Sequence, residues 1–143
     1  MNLDRMMITL KRVLKTEYPM LDFDFEDDDQ YVMASSGVTL NGVDGDIYLE
    51  IACYESGIAN IRFVFGEVRR RNIALGSIDR FNRDHFLWMY LRDDNHVEVC
   101  TNMELSEYDP ESSFEIFIKY AMGYFITLPE EKCFRDVAWQ IIG

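Results

Sequence analysis

Cationic side chains are scarce in this chain: 14 Lys and Arg stand against 26 Asp and Glu, for a net charge of −12. Binding to DNA, RNA or anionic lipid needs clustered Lys and Arg to displace counterions, so this balance opposes nucleic-acid and membrane partners. It suits basic or apolar protein partners. Cysteine is also sparse. Cys53, Cys100 and Cys133 are odd in number, widely separated and free of any CxxC spacing, so they outline neither a disulfide framework nor a zinc site. They read as small buried hydrophobes. No apolar run approaches the ~20 residues of a membrane helix. Met6–Leu10, bounded by Arg5 and Lys11, is too short for a secretory core, so the cytoplasm is the expected location.

Chemistry-bearing motifs are missing as well. There is no P-loop, GxGxxG or zinc signature. Of the two histidines, His85 sits at a helix-to-strand junction and His96 begins a strand. His96 and Cys100 share one strand face four residues apart, about 13 Å at ~3.3 Å per residue, too far to hold one metal. Ser35-Ser36-Gly37 lacks the preceding glycine of a nucleophile elbow. Within Asp22–Asp29 six of eight residues are acidic, but a calcium loop fails there: its sixth and twelfth positions hold Asp27 and Met33 rather than Gly and Glu. No catalytic residue, metal or cofactor is expected. An enzyme would need a pocket holding His85 or Cys100 with a strongly shifted pKa.

What the chain does hold is apolar and patterned. With 48% hydrophobic and 14% aromatic residues over 143 positions, it can bury the core of one domain, residues 1–143. Leu3, Met6, Met7, Leu10, Val13 and Leu14 predict a helix over 2–17, with Asn2 a candidate cap and Pro19 the stop. The acidic run is a solvated loop or one short strand with Phe23 and Phe25 inward. Strands follow at 31–36, 47–54 and 59–65, the last two joined by the turn Glu55-Ser56-Gly57. Ile47, Leu49, Ile51 and Cys53 alternate with Tyr48, Glu50 and Tyr54; Ala59, Ile61, Phe63 and Phe65 alternate with Asn60 and Arg62. That is an antiparallel sheet with one buried face. Residues 67–84 read as a helix with Ile73, Leu75, Ile78 and Phe81 as its apolar members and Arg69–Arg71 in its first turn. Those arginines are a solvated face or a docking patch for an acidic partner.

A hairpin follows. Phe86, Trp88 and Tyr90 point one way from its first strand and Leu87, Met89 and Leu91 the other. Both faces are apolar, so both need a cover; a partner chain and the chain's own loops are the two candidates for the second. Phe86, Trp88 and Tyr90 are therefore the candidate protein-binding or dimer interface. The next strand sets Val97, Val99, Thr101 and Met103 against His96, Glu98 and Cys100. Asp109 and Pro110 open a helix carrying Phe114, Phe117, Ile118, Ala121, Phe125 and Leu128. Ile116, Tyr120 and Tyr124 widen its stripe, which predicts cover on more than one side. Pro129 starts a last helix with Phe134, Val137, Ala138 and Ile141 in the core.

This α+β order, N-terminal, middle and C-terminal helices around about five antiparallel strands, resembles the fold of type III secretion chaperones, small acidic cytoplasmic dimers that hold partly unfolded effectors. Ile78-Asp79-Arg80-Phe81-Asn82-Arg83 is similar to the leucine-asparagine-x-x-asparagine-arginine helix end of the YbjN-type family, the putative bacterial sensory transduction regulators, which share that fold. Asn82 matches the second asparagine, and Asp79 replaces the first. Ile78, Phe81 and Asn82 carry the motif. The resemblance implies a bacterial binding or regulatory protein with no catalytic residues to transfer, and an Asn82 amide that bonds the backbone at the helix-to-strand junction. The expected function is a non-enzymatic, homodimeric, chaperone-like protein-binding domain. The alternatives are a dedicated secretion chaperone for one effector and an acidic immunity-type inhibitor that offers Asp22–Asp29 to a basic toxin.

Overall fold

The computed structural model describes residues 1–142, apart from the side chains of Asp84 and Ile142. It is α+β: helices α1 (Leu3–Glu17), α2 (Arg71–Asp84), α3 (Pro110–Thr127) and α4 (Lys132–Ala138) accompany one antiparallel sheet. Its strands are β1 (Asp24–Asp27), β2 (Tyr31–Val38), β3 (Ile47–Tyr54), β4 (Ile58–Val68), β5 (Trp88–Leu91) and β6 (His96–Glu104), in the order β1-β2-β3-β4-β6-β5. The short β7 (Ile141–Ile142) pairs with the end of β4.

Strand alternation decides which side is buried. Val32, Ala34, Ile47, Leu49, Ile51, Ala59, Ile61, Phe63, Val97 and Val99 meet Leu10 and Val13 of α1, Phe117 and Phe125 of α3 and Phe134 of α4 in one core cluster. Phe63 stacks on Phe125 with ring centroids 4.0 Å apart, and Phe65 meets Phe134 edge-on at 5.6 Å. The helix starts are capped as their sequences imply. Asn2 Oδ1 accepts from the Arg5 N–H and Asp109 Oδ1 from the Ser112 N–H, each at 3.2 Å. Gly57 (φ 90°) and Asn95 (φ 67°) supply the left-handed residues of the β3–β4 and β5–β6 turns.

Several expectations need correction. The acidic run forms an edge strand whose four residues are all exposed; Phe23 is half-buried, but Phe25 stays exposed, with the Lys11 ammonium 5.3 Å from its ring. Helix α2 starts at Arg71, so Arg69 and Arg70 precede it: β4 continues to Val68, where β7, from the far end of the chain, pairs with Glu67 and Val68 on one side and His96 of β6 pairs with Glu67 on the other. Ile73 and Leu75 are exposed and the buried side of α2 is Ala74, Ser77, Ile78 and Phe81. Ile141 is buried in β7 rather than in the last helix. On α3, Ile116 and Tyr120 are exposed, and Tyr124 is only partly covered, by the rings of Phe86 and His85.

Candidate functional site

The side of the sheet away from the core carries the site, and cross-strand register builds it. Glu50 of β3 lies opposite Arg62 of β4, Arg62 opposite Cys100 of β6, and Cys100 opposite Trp88 of β5. One row over, Tyr48 faces Val64, Val64 faces Glu98, and Glu98 faces Tyr90. Two glutamates therefore flank one arginine at the middle of a sheet face.

Those glutamates are nearly as hidden as the core, Glu50 at 8% and Glu98 at 3% exposure. Arg62 Nη2 lies 3.0 Å from Glu50 Oε2 and its Nη1 3.5 Å from Glu98 Oε1. The Tyr48 hydroxyl donates to Glu50 at 2.9 Å, and the Tyr90 hydroxyl to Glu98. Burial raises the Glu98 carboxyl above its ordinary 4.5; Arg62 pulls it back and Glu50 adds to the rise. The two carboxylates are desolvated and paired, while Arg62 keeps about a third of its side chain in water and its Nε has no partner among the described residues. Exposed side chains share the face: Trp88 at 56%, Tyr48 at 41% and Tyr90 at 37% stand beside the network, and Tyr54 and Ile58 lie further along, at the β3–β4 turn. The face thus presents exposed rings beside a polar network whose glutamates are buried and whose arginine is about one-third exposed.

The three residues singled out on the hairpin separate. Trp88 and Tyr90 stand on this open face, with Leu87 and Met89 fully buried on the other. Phe86 precedes β5 and leaves the face: its ring stacks on Tyr124 of α3 at 5.0 Å. Of the helix-end residues, Ile78 and Phe81 are buried. Asn82 receives the Met89 N–H on Oδ1 and donates from Nδ2 to the Met89 carbonyl, both at 2.7 Å. The amide thus bonds backbone across the helix-to-strand junction, tying the last turn of α2 to Met89 of the edge strand β5.

The candidates for chemistry are held in structural roles. His85 stacks on Phe81 at 4.4 Å and accepts the Leu87 N–H at Nδ1; burial lowers its pKa and favours the neutral ring that this bond requires. Cys100 lies in the outer face beside Arg62 and Trp88, and burial, then Glu98, pushes its thiol up. Burial pushes Cys53 up to about 11. Both thiols are therefore protonated at neutral pH, and we expect each to resist alkylation near pH 7.5 until urea unfolds the chain. Quantitative labelling of Cys100 in the native protein within minutes would contradict this. Among the described residues no group of three or more His, Cys, Asp and Glu is placed to hold a metal ion. Also among them, no helix is long and apolar enough to cross a membrane.

Sequence reasoning placed Glu50, Arg62 and Glu98 on the outer face without singling them out. The Glu50–Arg62 pair had a signal, because the Glu55-Ser56-Gly57 turn sets that register. Glu98 had none, since nothing local brings β6 beside β4. No family model matches the chain, and no curated protein matches it.

Proposed function

We propose that this protein is a non-enzymatic, chaperone-like binding domain of the YbjN type, homodimeric and acting in the bacterial cytoplasm, whose open sheet face receives an apolar segment of a partly unfolded partner protein. The observation that carries this reading is the exposed aromatic surface of Trp88, Tyr48 and Tyr90 beside the Glu50–Arg62–Glu98 network. Burying large rings against a partner's apolar side chains supplies affinity, since each ring removes 150–250 Å² or thereabouts from water. The polar centre supplies fixed partners for the backbone or side-chain groups that such a segment brings with it. The net charge of −12 keeps the loaded complex soluble.

Trp88→Ala tests it. More than half of Trp88 is in water, so the variant should lose less than about 1 kcal/mol of stability. It should nonetheless lose most of its capacity to suppress the aggregation of reduced, unfolding α-lactalbumin, followed by light scattering. Suppression equal to that of the unsubstituted protein would sink the reading. A second reading keeps a specific observation: Asp24–Asp27 form an exposed acidic edge strand, the surface an inhibitor of a basic toxin would present. Neutralising that strand separates the two, because client suppression should survive it.

A further inference from the structure

We infer that α3 forms the seam of a homodimer, antiparallel to α3 of a second copy, with Tyr120 of each chain seated over Gly123 of the partner subunit. The inference rests on the homodimer of the preceding reading and assigns its contact to a different surface from the sheet face.

Helix α3 is apolar on two sides. Phe114, Phe117, Ile118, Ala121 and Phe125 face the core. Opposite them, Ile116, Tyr120, Gly123 and Thr127 recur at steps of four, three and four and share one face. Ile116 is 53% and Tyr120 62% exposed. Within this chain α3 packs against β4 and α1, and Phe86 covers part of Tyr124, but the side that carries Ile116, Tyr120 and Gly123 stays exposed.

The pattern of that face selects its occupant. Steps of four, three and four read the same in both directions, and their centre lies between Ala121 and Met122. A two-fold axis there sets Tyr120 opposite Gly123 of the partner subunit and Ile116 opposite Thr127 of the partner subunit. Each pair joins a larger side chain to a smaller one, the condition for a self-complementary isologous contact. The room exists. Lys119, Tyr120, Gly123, Tyr124 and Thr127 line a cleft of about 440 Å³, and a Cβ added at Gly123 would meet nothing within 4 Å. Absence of side-chain bulk lets two helix axes approach closely. Phe86, stacked on Tyr124, widens the apolar surface on one flank.

Charge points the same way. Two chains of −12 repel, so they meet best where neither carries net charge. The one charged residue of the cleft, Lys119, is already paired with Glu115 at 3.1 Å and with Glu17 at 3.3 Å. A contact of this kind tightens as salt screens the repulsion, whereas one held by opposite charges loosens.

The experiment is solution mass by light scattering across a concentration series, at low and high salt, for the whole chain and three variants. The unsubstituted protein should approach twice 16.9 kDa, with the dimer stronger at high salt. Gly123→Glu fills the gap and should raise the dissociation constant at least about tenfold. Its monomer should melt no lower, because Glu is the better helix former and the site is open. Trp88→Ala should leave the dimer intact. The paired variant Tyr120→Cys/Gly123→Cys should oxidise to a covalent dimer, because the antiparallel seam sets each of the two positions opposite the other one in the second copy. A strict monomer, or a dimer indifferent to Gly123→Glu, overturns the seam. A dimer dissociated by Trp88→Ala moves the contact to the sheet face and overturns it too. Client suppression is read separately, so loss of the seam leaves the binding function tested on its own.

Discussion

Arg62→Ala is expected to destabilise the protein by about 2–3 kcal/mol at neutral pH, although Arg62 is not a core residue. The substitution leaves Glu50 and Glu98 side by side, almost out of water and without their shared cation. The loss should fall short of the ~3–5 kcal/mol of a fully buried pair, because the Arg62 side chain is 36% exposed and part of its attraction is screened. The pH dependence identifies the cause. Burial already raises the folded-state pKa of Glu98 above 4.5, and removing Arg62 raises it further. A carboxyl raised on folding binds its proton more tightly in the folded state. Its penalty is therefore absent below about 4.5, grows as pH rises through the folded pKa, and is complete above it. The deficit of Arg62→Ala, measured by urea unfolding, should shrink as pH falls towards 4.5. Adding Glu50→Gln and Glu98→Gln should recover much of the loss at pH 7, since removing both sides of a buried pair costs less than orphaning one. A deficit independent of pH would mean that Arg62 acts through packing of its alkyl stem alone.

Asn82→Ala should cost a similar amount, about 2–3 kcal/mol, for a different reason. Strand β5 is the edge of the sheet, and its Met89 N–H and C=O are satisfied by the Asn82 amide, which stands where a further strand would lie. The alanine variant leaves two backbone groups without partners beside a fully buried Met89 side chain. It also opens the edge to another chain, so aggregation should rise along with the loss of stability. Hydrogen exchange at the Met89 amide should lose its protection, while Val99 in β6 keeps most of its own. Asn82→Asp makes the finer test. A carboxylate still accepts from the Met89 N–H but repels its carbonyl. Protonation below about pH 4 restores a donor, so the variant should be relatively better in acid. Unchanged exchange at Met89 in Asn82→Ala would show that the amide is dispensable.

Particular elements show how far the chain could be read in advance. The strand faces of β3, β4 and β6 followed from period-two alternation, and the caps at Asn2 and Asp109 from residue type. The two-sided apolar strand at Phe86–Leu91 was legible, but its cover was not, because burial of Leu87 and Met89 depends on which elements reach that edge. Phe86 was placed with Trp88 and Tyr90 by parity. The strand begins only at Trp88, so parity does not extend to Phe86, and Tyr124 captures its ring. Ile73 and Leu75 were assigned to the buried side of α2. The helix turns instead on Ala74, Ser77, Ile78 and Phe81, the side that faces β5 and α4.

By itself the sequence determined the α+β class, the antiparallel strands, the polarity of the faces of β3, β4 and β6 and the acidic exterior, since these depend on local periodicity and composition. Tertiary structure alone decided the strand order, in which β6 inserts between β4 and β5. It thereby set Glu98 beside Arg62 and Glu50, paired the end of β4 with β7, and left one sheet face and one side of α3 uncovered. The reason is that pairing between strands distant in the chain, and the apolar surface left over once the core has closed, are properties of the whole assembly that no local window of residues contains.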